Sequence, residues 1–273
     1  MMRSFARMLG CLDDRAVIAV SGPEAKSFLQ GLITNDIAAL APDAPIYAAL
    51  LTPQGKILFD FIVSENDGGV LLDCAGTSAD ALMKRLSMYR LRSRVDVSLR
   101  TDLAVFWSAS DETAGLGDPR LRELGHRSVG ARDPSAAKDE SGYLSRRLDL
   151  GVPEGRDFGS DKMFALDAGL EELHAISFSK GCYIGQELTA RMKHRGTARK
   201  RLLLVATESG DLPPRGTEIR SGDSAAGEIT STYGARGFAL TRLDRWPEAG
   251  AARAGEQDIR IVKPAWLMSG EDP

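Results

Sequence analysis

The sequence predicts an α+β fold that ends in a small all-β barrel. Three observations carry this. The first hundred residues read strand, helix, several strands, helix, strand. After Arg201 only short apolar runs occur, separated by Gly and Pro. The chain has 273 residues, 43% hydrophobic and 27% charged, which is enough to bury a large core and to form more than one packed unit.

The elements follow in order. RAVIAV (15–20) is an apolar strand. Ser21 to Glu24 has the S-x-x-E spacing of a capping box, and Phe28, Leu29, Leu32 and Ile33 recur at helical spacing, so 23–33 reads as a helix. The runs IYAALL (46–51) and KILFDFIV (56–63) flank Thr52-Pro53-Gln54-Gly55 and predict a hairpin. VLLDC (70–74) is a further strand. Thr77-Ser78 can cap a helix running to about Tyr89, with Leu82, Leu86 and Tyr89 on one face. RVDVSL (94–99) and DLAVFW (102–107) alternate as strands. Helices on one face of an antiparallel sheet make this an elaborated ferredoxin-like unit. Residues 108–142 are polar and hold a short helix at most. Residues 185–193 form a helix with Leu188 and Met192 inward. Strands at 201–206, 226–232, 237–243 and 259–263 then build the barrel. The expected division is 1–196, α+β in two interleaved subdomains, and 197–273, barrel.

Composition excludes several classes. A net charge of −3 gives no global pull toward nucleic acid or anionic membrane. No apolar run approaches the ~20 residues that span a bilayer. MMRSFARMLGCL is too short and too weakly apolar for a signal peptide, so cytoplasm is the default, with a clipped organelle-targeting remnant as the alternative. Cys11, Cys74 and Cys182 cannot build a disulfide framework, and a self-contained four-cysteine iron–sulfur site is excluded.

Candidate chemistry gathers in Lys180-Gly181-Cys182-Tyr183-Ile184-Gly185-Gln186-Glu187. A nearby cation lowers a thiol's pKa, and in an extended segment Lys180 and Cys182 share a face. The competing reading makes Cys182 a small buried hydrophobe, and on spacing alone that reading leads. Glu187 and Arg191 stand at i and i+4, the spacing of a surface ion pair. Asp60 lies among apolar strand residues, which marks it as a site candidate. Asp167 can accept two N–H bonds from an aminopyrimidine edge, although a helix-start carboxylate is the simpler reading. Arg90, Arg92 and Arg94 form a solvated face or an anion site. The basic run 191–201 lacks aromatic residues, which weakens a nucleic-acid reading. It is a solvated loop, or a surface for an acidic partner or a folate's glutamate tail.

The stretch KGCYIGQELTAR resembles the signature of the folate-binding YgfZ-type proteins of iron–sulfur cluster assembly, relatives of the aminomethyltransferase (T-protein) of the glycine cleavage system. FLQGLITND (28–36), LTPQGKILFD (51–60), YRLRSRV (89–95) and HRGTARKRL (194–202) extend the resemblance over most of the chain. It implies an aminomethyltransferase-like three-part fold around a central folate pocket, with ferredoxin-like units and a C-terminal β-barrel. It implies tetrahydrofolate or another folate as ligand, and a role in assembling or repairing [4Fe–4S] clusters. Partners would be iron–sulfur assembly or carrier proteins and [4Fe–4S] client enzymes. The location would be cytoplasmic, or the mitochondrial matrix in a eukaryote. Cys182 matches the functional cysteine, where the T-protein segment resembles K-G-D-F-I-G with an aspartate. Asp60 falls where the T-protein has its catalytic aspartate, and Asp167 where that enzyme holds the pterin with a glutamate. The resemblance thus implies Cys182, Lys180 and Asp60 in the chemistry. Asp167, Tyr183, Gln186, Glu187, Arg191 and Arg92 would bind folate, with no metal site. Two further readings stand beside it: a folate-dependent aminomethyltransferase or demethylase using Asp60, and a non-catalytic interaction module docking through the basic run.

Overall fold

Strands and helices follow the predicted order in the computed structural model, which describes residues 10–110, 115–196, 199–246 and 252–268. The N-terminal segment 1–9, considered above for targeting, lies outside the described residues, as do Thr197 and Ala198 of the basic run. The chain forms two units. One comprises Met1–Leu51, Leu58–Arg146 and Leu173–Ile184, the other Thr52–Ile57, Arg147–Glu172 and Gly185–Pro273.

The first unit is built on two antiparallel sheets. Its strands are β1 (Gly10–Cys11), β2 (Arg15–Ser21), β3 (Ile46–Leu51), β4 (Ile57–Asn66), β5 (Gly69–Ala75), β6 (Asp96–Leu99), β7 (Leu103–Ser108), β8 (Leu116–Gly117) and β9 (His126–Ala131). The larger sheet has the order β3-β4-β5-β2-β6, and the smaller β1-β7-β9-β8. Helices α1 (Ala25–Gln30) and α2 (Ala79–Arg90) cover one face of the larger sheet. Leu29, Leu82 and Leu86 pack there with Ile18, Val20, Phe61, Val63 and Leu72. The opposite face is the other half of the β2 and β5 alternation. Val17, Ala19 and Leu71 meet Val105 and Trp107 of β7 and Tyr143. Tyr143 belongs to α3 (Glu140–Asp149).

The second unit holds α4 (Gly155–Phe158), α5 (Gln186–Arg195) and α6 (Ala265–Met268). Its strands are β10 (Lys200–Ala206), β11 (Glu218–Ser221), β12 (Ser224–Tyr233), β13 (Arg236–Arg242), β14 (Ala252–Ala254) and β15 (Gln257–Val262). These six close into a barrel in the order β10-β13-β12-β11-β14-β15. The interior is small: Val205, Ile219, Ala226, Ile229, Ala239, Ala252, Ala254 and Ile259 fill it. Asp157 of α4 ties the preceding segment to the barrel. It is fully buried and accepts from Arg147 Nη1 at 2.6 Å, from the Tyr233 hydroxyl at 2.7 Å and from Ser231. Burial beside this carboxylate pushes the Tyr233 phenol up to about 12.

Three local expectations are corrected. Residues 108–142 contain β9, a full partner of β7 over six residue pairs. The α1 N-cap is Glu24, with no side-chain cap bond. Its carboxylate instead accepts from Arg94 N at 3.0 Å and Arg94 Nε at 2.8 Å. Ser78 is the α2 N-cap by position, but its hydroxyl makes no capping bond and donates to the Ala75 carbonyl instead.

Candidate functional site

The Lys180–Glu187 octet contains the point where the chain passes from the first unit into the second, after Ile184. Its two parts are built differently.

In the first unit, two distant segments are stitched together. Thr34 Oγ1 donates to the Ala175 carbonyl at 2.6 Å, and the Ser177 amide donates to the Thr34 carbonyl at 3.0 Å. Asn35 Nδ2 donates to the carbonyls of Tyr47 and His174, each at 2.8 Å. Lys180 completes the seam. Its ammonium donates to the Ile33 and Asn35 carbonyls at 2.8 and 2.6 Å and lies 5.3 Å from the centre of the Tyr183 ring. The FLQGLITND segment thus serves as the seat of the Lys180 loop. Burial lowers the Lys180 ammonium to about 8, with Asp36 pulling the other way.

Cys182 is exposed, while Lys180 and Tyr183 on either side are buried. The packing reading of this thiol is therefore wrong, because its side chain reaches solvent. The shared face of Lys180 and Cys182 is also corrected. The segment is not a strand, burial does not alternate along it, and the Lys180 ammonium is held by carbonyls. Lys180 shapes the loop that presents the thiol.

Asp60, on β4, is 6% exposed and accepts from the Tyr47 hydroxyl at 2.9 Å. The apolar flanks predicted this burial. Tyr47, its partner on β3, was not singled out from sequence, although a lone phenol in the run IYAALL was the available signal. Arg92 is exposed beyond the end of α2 and lines a surface hollow with Glu24, Tyr89, Leu91 and Ser93. Its neighbours Arg90 and Arg94 make surface ion pairs with Asp96 and Glu24.

In the second unit, Gly185 has φ +85° and leads into α5. Opposite it, Gly55 of the hairpin turn has φ +77°, and a Cβ there would lie 3.4 Å from both the Gly185 carbonyl and Thr189 Oγ1. Two positive-φ glycines therefore let the turn approach the start of α5. Gln186 is half-buried, and Glu187 is exposed and accepts from Arg191 at 2.8 Å as the spacing predicts. Of the predicted inward face of α5, Leu188 and Met192 are half-buried, and Thr189 is the buried residue.

Asp167 is 7% exposed, and among the described residues its carboxyl has no hydrogen-bond partner. Burial pushes it up to about 6 against the pull of Lys200 and Arg201. Its backbone is fixed, since the Leu202 amide donates to the Asp167 carbonyl at 2.7 Å and Arg201 Nη1 donates to the Leu166 carbonyl at 2.7 Å. A buried acceptor with no protein donor is suited to a ligand that brings N–H groups. Among the described residues no three His, Cys, Asp or Glu side chains are grouped to hold a metal ion, and no helix is long and apolar enough to cross a membrane.

Comparison with known proteins agrees with this architecture. Residues 199–269 match the model of the CAF17 C-terminal β-barrel domain. Mouse mitochondrial iron–sulfur cluster assembly factor IBA57 is 35% identical, over 85% of this chain and 77% of its own length. The chain belongs to the IBA57 family of iron–sulfur cluster assembly factors. Human mitochondrial IBA57 is 34% identical, over 84% of this chain and 76% of its own. A Neurospora crassa mitochondrial homologue is 35% identical over 70% of this chain, and only 52% of that longer protein is covered. The fold is that of the glycine cleavage system aminomethyltransferase T from Bartonella henselae. That structure superposes with a TM-score of 0.74, covering 95% of this chain and 85% of its own at 15% identity. The α+β fold with a C-terminal barrel is thus the T-protein fold, carried here by an IBA57-family chain.

Proposed function

We propose that the chain is a folate-binding assembly or repair factor for [4Fe–4S] clusters, of the YgfZ type within its family, with Cys182 as the functional thiol. The observation that carries this reading is the exposed Cys182 on a loop held by the buried Lys180. A structural cysteine would be buried, and a functional thiol needs access to its partner. No group of metal-ligating side chains surrounds it among the described residues, so a cluster met here draws further ligands from a partner protein. Iron–sulfur assembly or carrier proteins and [4Fe–4S] client enzymes are the partners this reading requires. The location is cytoplasmic, or the mitochondrial matrix in a eukaryote.

The donor set fits a folate. The Asp167 carboxyl lacks a protein donor and supplies two acceptors to an aminopyrimidine edge. Tyr183, Gln186, Glu187, Arg191 and Arg92 complete the folate-binding set in this reading, within a functional division into a folate-binding region 1–196 and a barrel domain 197–273. When bound, the folate supplies one-carbon or redox capacity. The chain's own residues orient it and present a thiol. Calorimetric titration with tetrahydrofolate tests the ligand. Binding by the wild type and its loss in Asp167→Ala are expected, and absence of binding by a folded wild type would refute it.

A second reading, folate-dependent aminomethyl transfer or demethylation, is favoured by one observation: Asp60 is buried and held by Tyr47. Turnover of methylamine-bearing substrates with tetrahydrofolate that needs Asp60 and ignores Cys182 would select it.

A further inference from the structure

The end of α2 carries a surface that the proposed function leaves unused. From Ala81 to Val95 the chain reads ALMKRLSMYRLRSRV, with five cations and no acid. Two of the five meet acids from elsewhere. Arg94 pairs with Glu24 at 2.8 Å, and Arg90 stands 3.9 Å from Asp96. Lys84, Arg85 and Arg92 have no ion pair or hydrogen bond among the described residues. The whole chain carries −3, so this positive charge is local.

Apolar side chains project from the same place. Leu91 is 88% exposed and Met88 61%, the two most exposed large hydrophobics among the described residues. Lys84 and Met88 stand at i and i+4 on the outward face of α2, whose other face buries Leu82 and Leu86. Leu91 follows as the C-cap, with φ +44° and ψ −105°. Such a positive φ favours glycine, because a Cβ is penalised there. Packing does not compensate, since the leucine side chain buries almost nothing in this chain. A residue held in a strained conformation with no packing gain points to binding outside the chain.

Basic side chains around projecting apolar tips match an anionic bilayer. Its negative surface favours each nearby Lys or Arg by about fivefold in affinity, and its interface receives apolar side chains. A folded acidic protein would instead need a fitted recess for Leu91. Lys84 and Arg85 are long, unengaged side chains that respond to charge and impose no fixed geometry. We propose that the end of α2 docks this protein peripherally on an anionic lipid surface. Leu91 and Met88 enter the headgroup layer, and Lys84 and Arg85 meet the lipid phosphates. Arg92, assigned above to the folate, is not needed, and the proposal is independent of the folate and thiol readings.

The test is flotation of the full chain with vesicles of phosphatidylcholine alone or with about one-third phosphatidylglycerol. Binding to the anionic vesicles alone is expected, and it should weaken in about 0.5 M salt as the charges are screened. Lys84→Glu exchanges an attraction for a repulsion and should lower affinity about 25-fold. Leu91→Gly should lower it about fivefold or more while its Tm stays at or above that of the wild type, because glycine relieves the C-cap. Met88→Gln is the second apolar variant and serves if Leu91→Gly does not fold. Three results would overturn the proposal: no more binding to anionic than to neutral vesicles; full affinity in the folded apolar variants; or binding to a polyglutamate peptide but not to vesicles, which would give the surface to an acidic protein.

Discussion

Replacing Asp167 with asparagine should strengthen the fold and weaken the ligand site together. Asp167 is 7% exposed as a residue, and burial pushes its carboxyl up to about 6 from an ordinary value of 3.8. Between those values the native state binds the proton that the unfolded chain has already released. Stability is therefore full below about pH 4, falls as pH rises through 6, and is level above that. At about 1.36 kcal/mol per pKa unit the ceiling is ~3 kcal/mol, and solvent screening of the partly accessible oxygens reduces this to about 1–2 kcal/mol. Asparagine has the same shape and no charge. The variant should match the wild type at pH 4 and exceed it by about 1–2 kcal/mol at pH 7.5 in urea unfolding, with an unchanged m value. Tetrahydrofolate affinity should fall about 10- to 100-fold, since an amide offers one acceptor where the carboxylate offers two charge-assisted ones. Wild-type binding near pH 6 should also release a fraction of a proton, seen as a buffer-dependent enthalpy that vanishes at pH 8. An advantage over the wild type no larger at pH 7.5 than at pH 4, or undiminished folate affinity, contradicts this prediction.

Three further expectations concern the supports of the site. Lys180 is lowered to about 8 from 10.5, so the native state binds fewer protons between those values and stability should rise with pH across that window. Lys180→Met should abolish that rise in thermal unfolding and impair Cys182-dependent function although the thiol is intact; an unchanged slope contradicts the burial of its ammonium. Tyr47→Phe removes the hydroxyl donor to Asp60 and should lower stability by about 1–3 kcal/mol in urea titration, and an indistinguishable midpoint would count against the bond. Asp157→Ala removes the carboxylate hydrogen-bonded to the buried Arg147, leaving Glu154 at 3.9 Å, and should cost about 3–5 kcal/mol, measured by thermal denaturation; a loss under 1 kcal/mol would show that the network is slack.

Much of this was legible in the chain, and the exceptions share a physical cause. Strands such as VLLDC and RLLLVA declare themselves because both faces are apolar or alternate cleanly. Strand β9, HRSVGA, did not, because it turns Arg127 inward to Asp73, and an inward charge hides the period of two. The capping-box spacing misled because Glu24 found a stronger partner in Arg94, seventy residues on. At the site, the spacing of the octet does not disclose its geometry. Lys180 binds carbonyls from residues 33 and 35, and local spacing carries no information about so distant a contact. The burial of Asp60 followed from its apolar neighbours, whereas Tyr47 came into view only once β3 and β4 were placed side by side in one sheet.

In the proposed function, the exposed Cys182 thiol is what this chain contributes to cluster assembly. The most direct measurement is the specific activity of [4Fe–4S] enzymes, per amount of enzyme protein, in cells whose only copy of this gene carries Cys182→Ala. The side chain is solvent-facing, so the variant should fold and accumulate as the wild type does. Activities reduced toward those of cells lacking the protein are expected. Wild-type activities at wild-type abundance would contradict it.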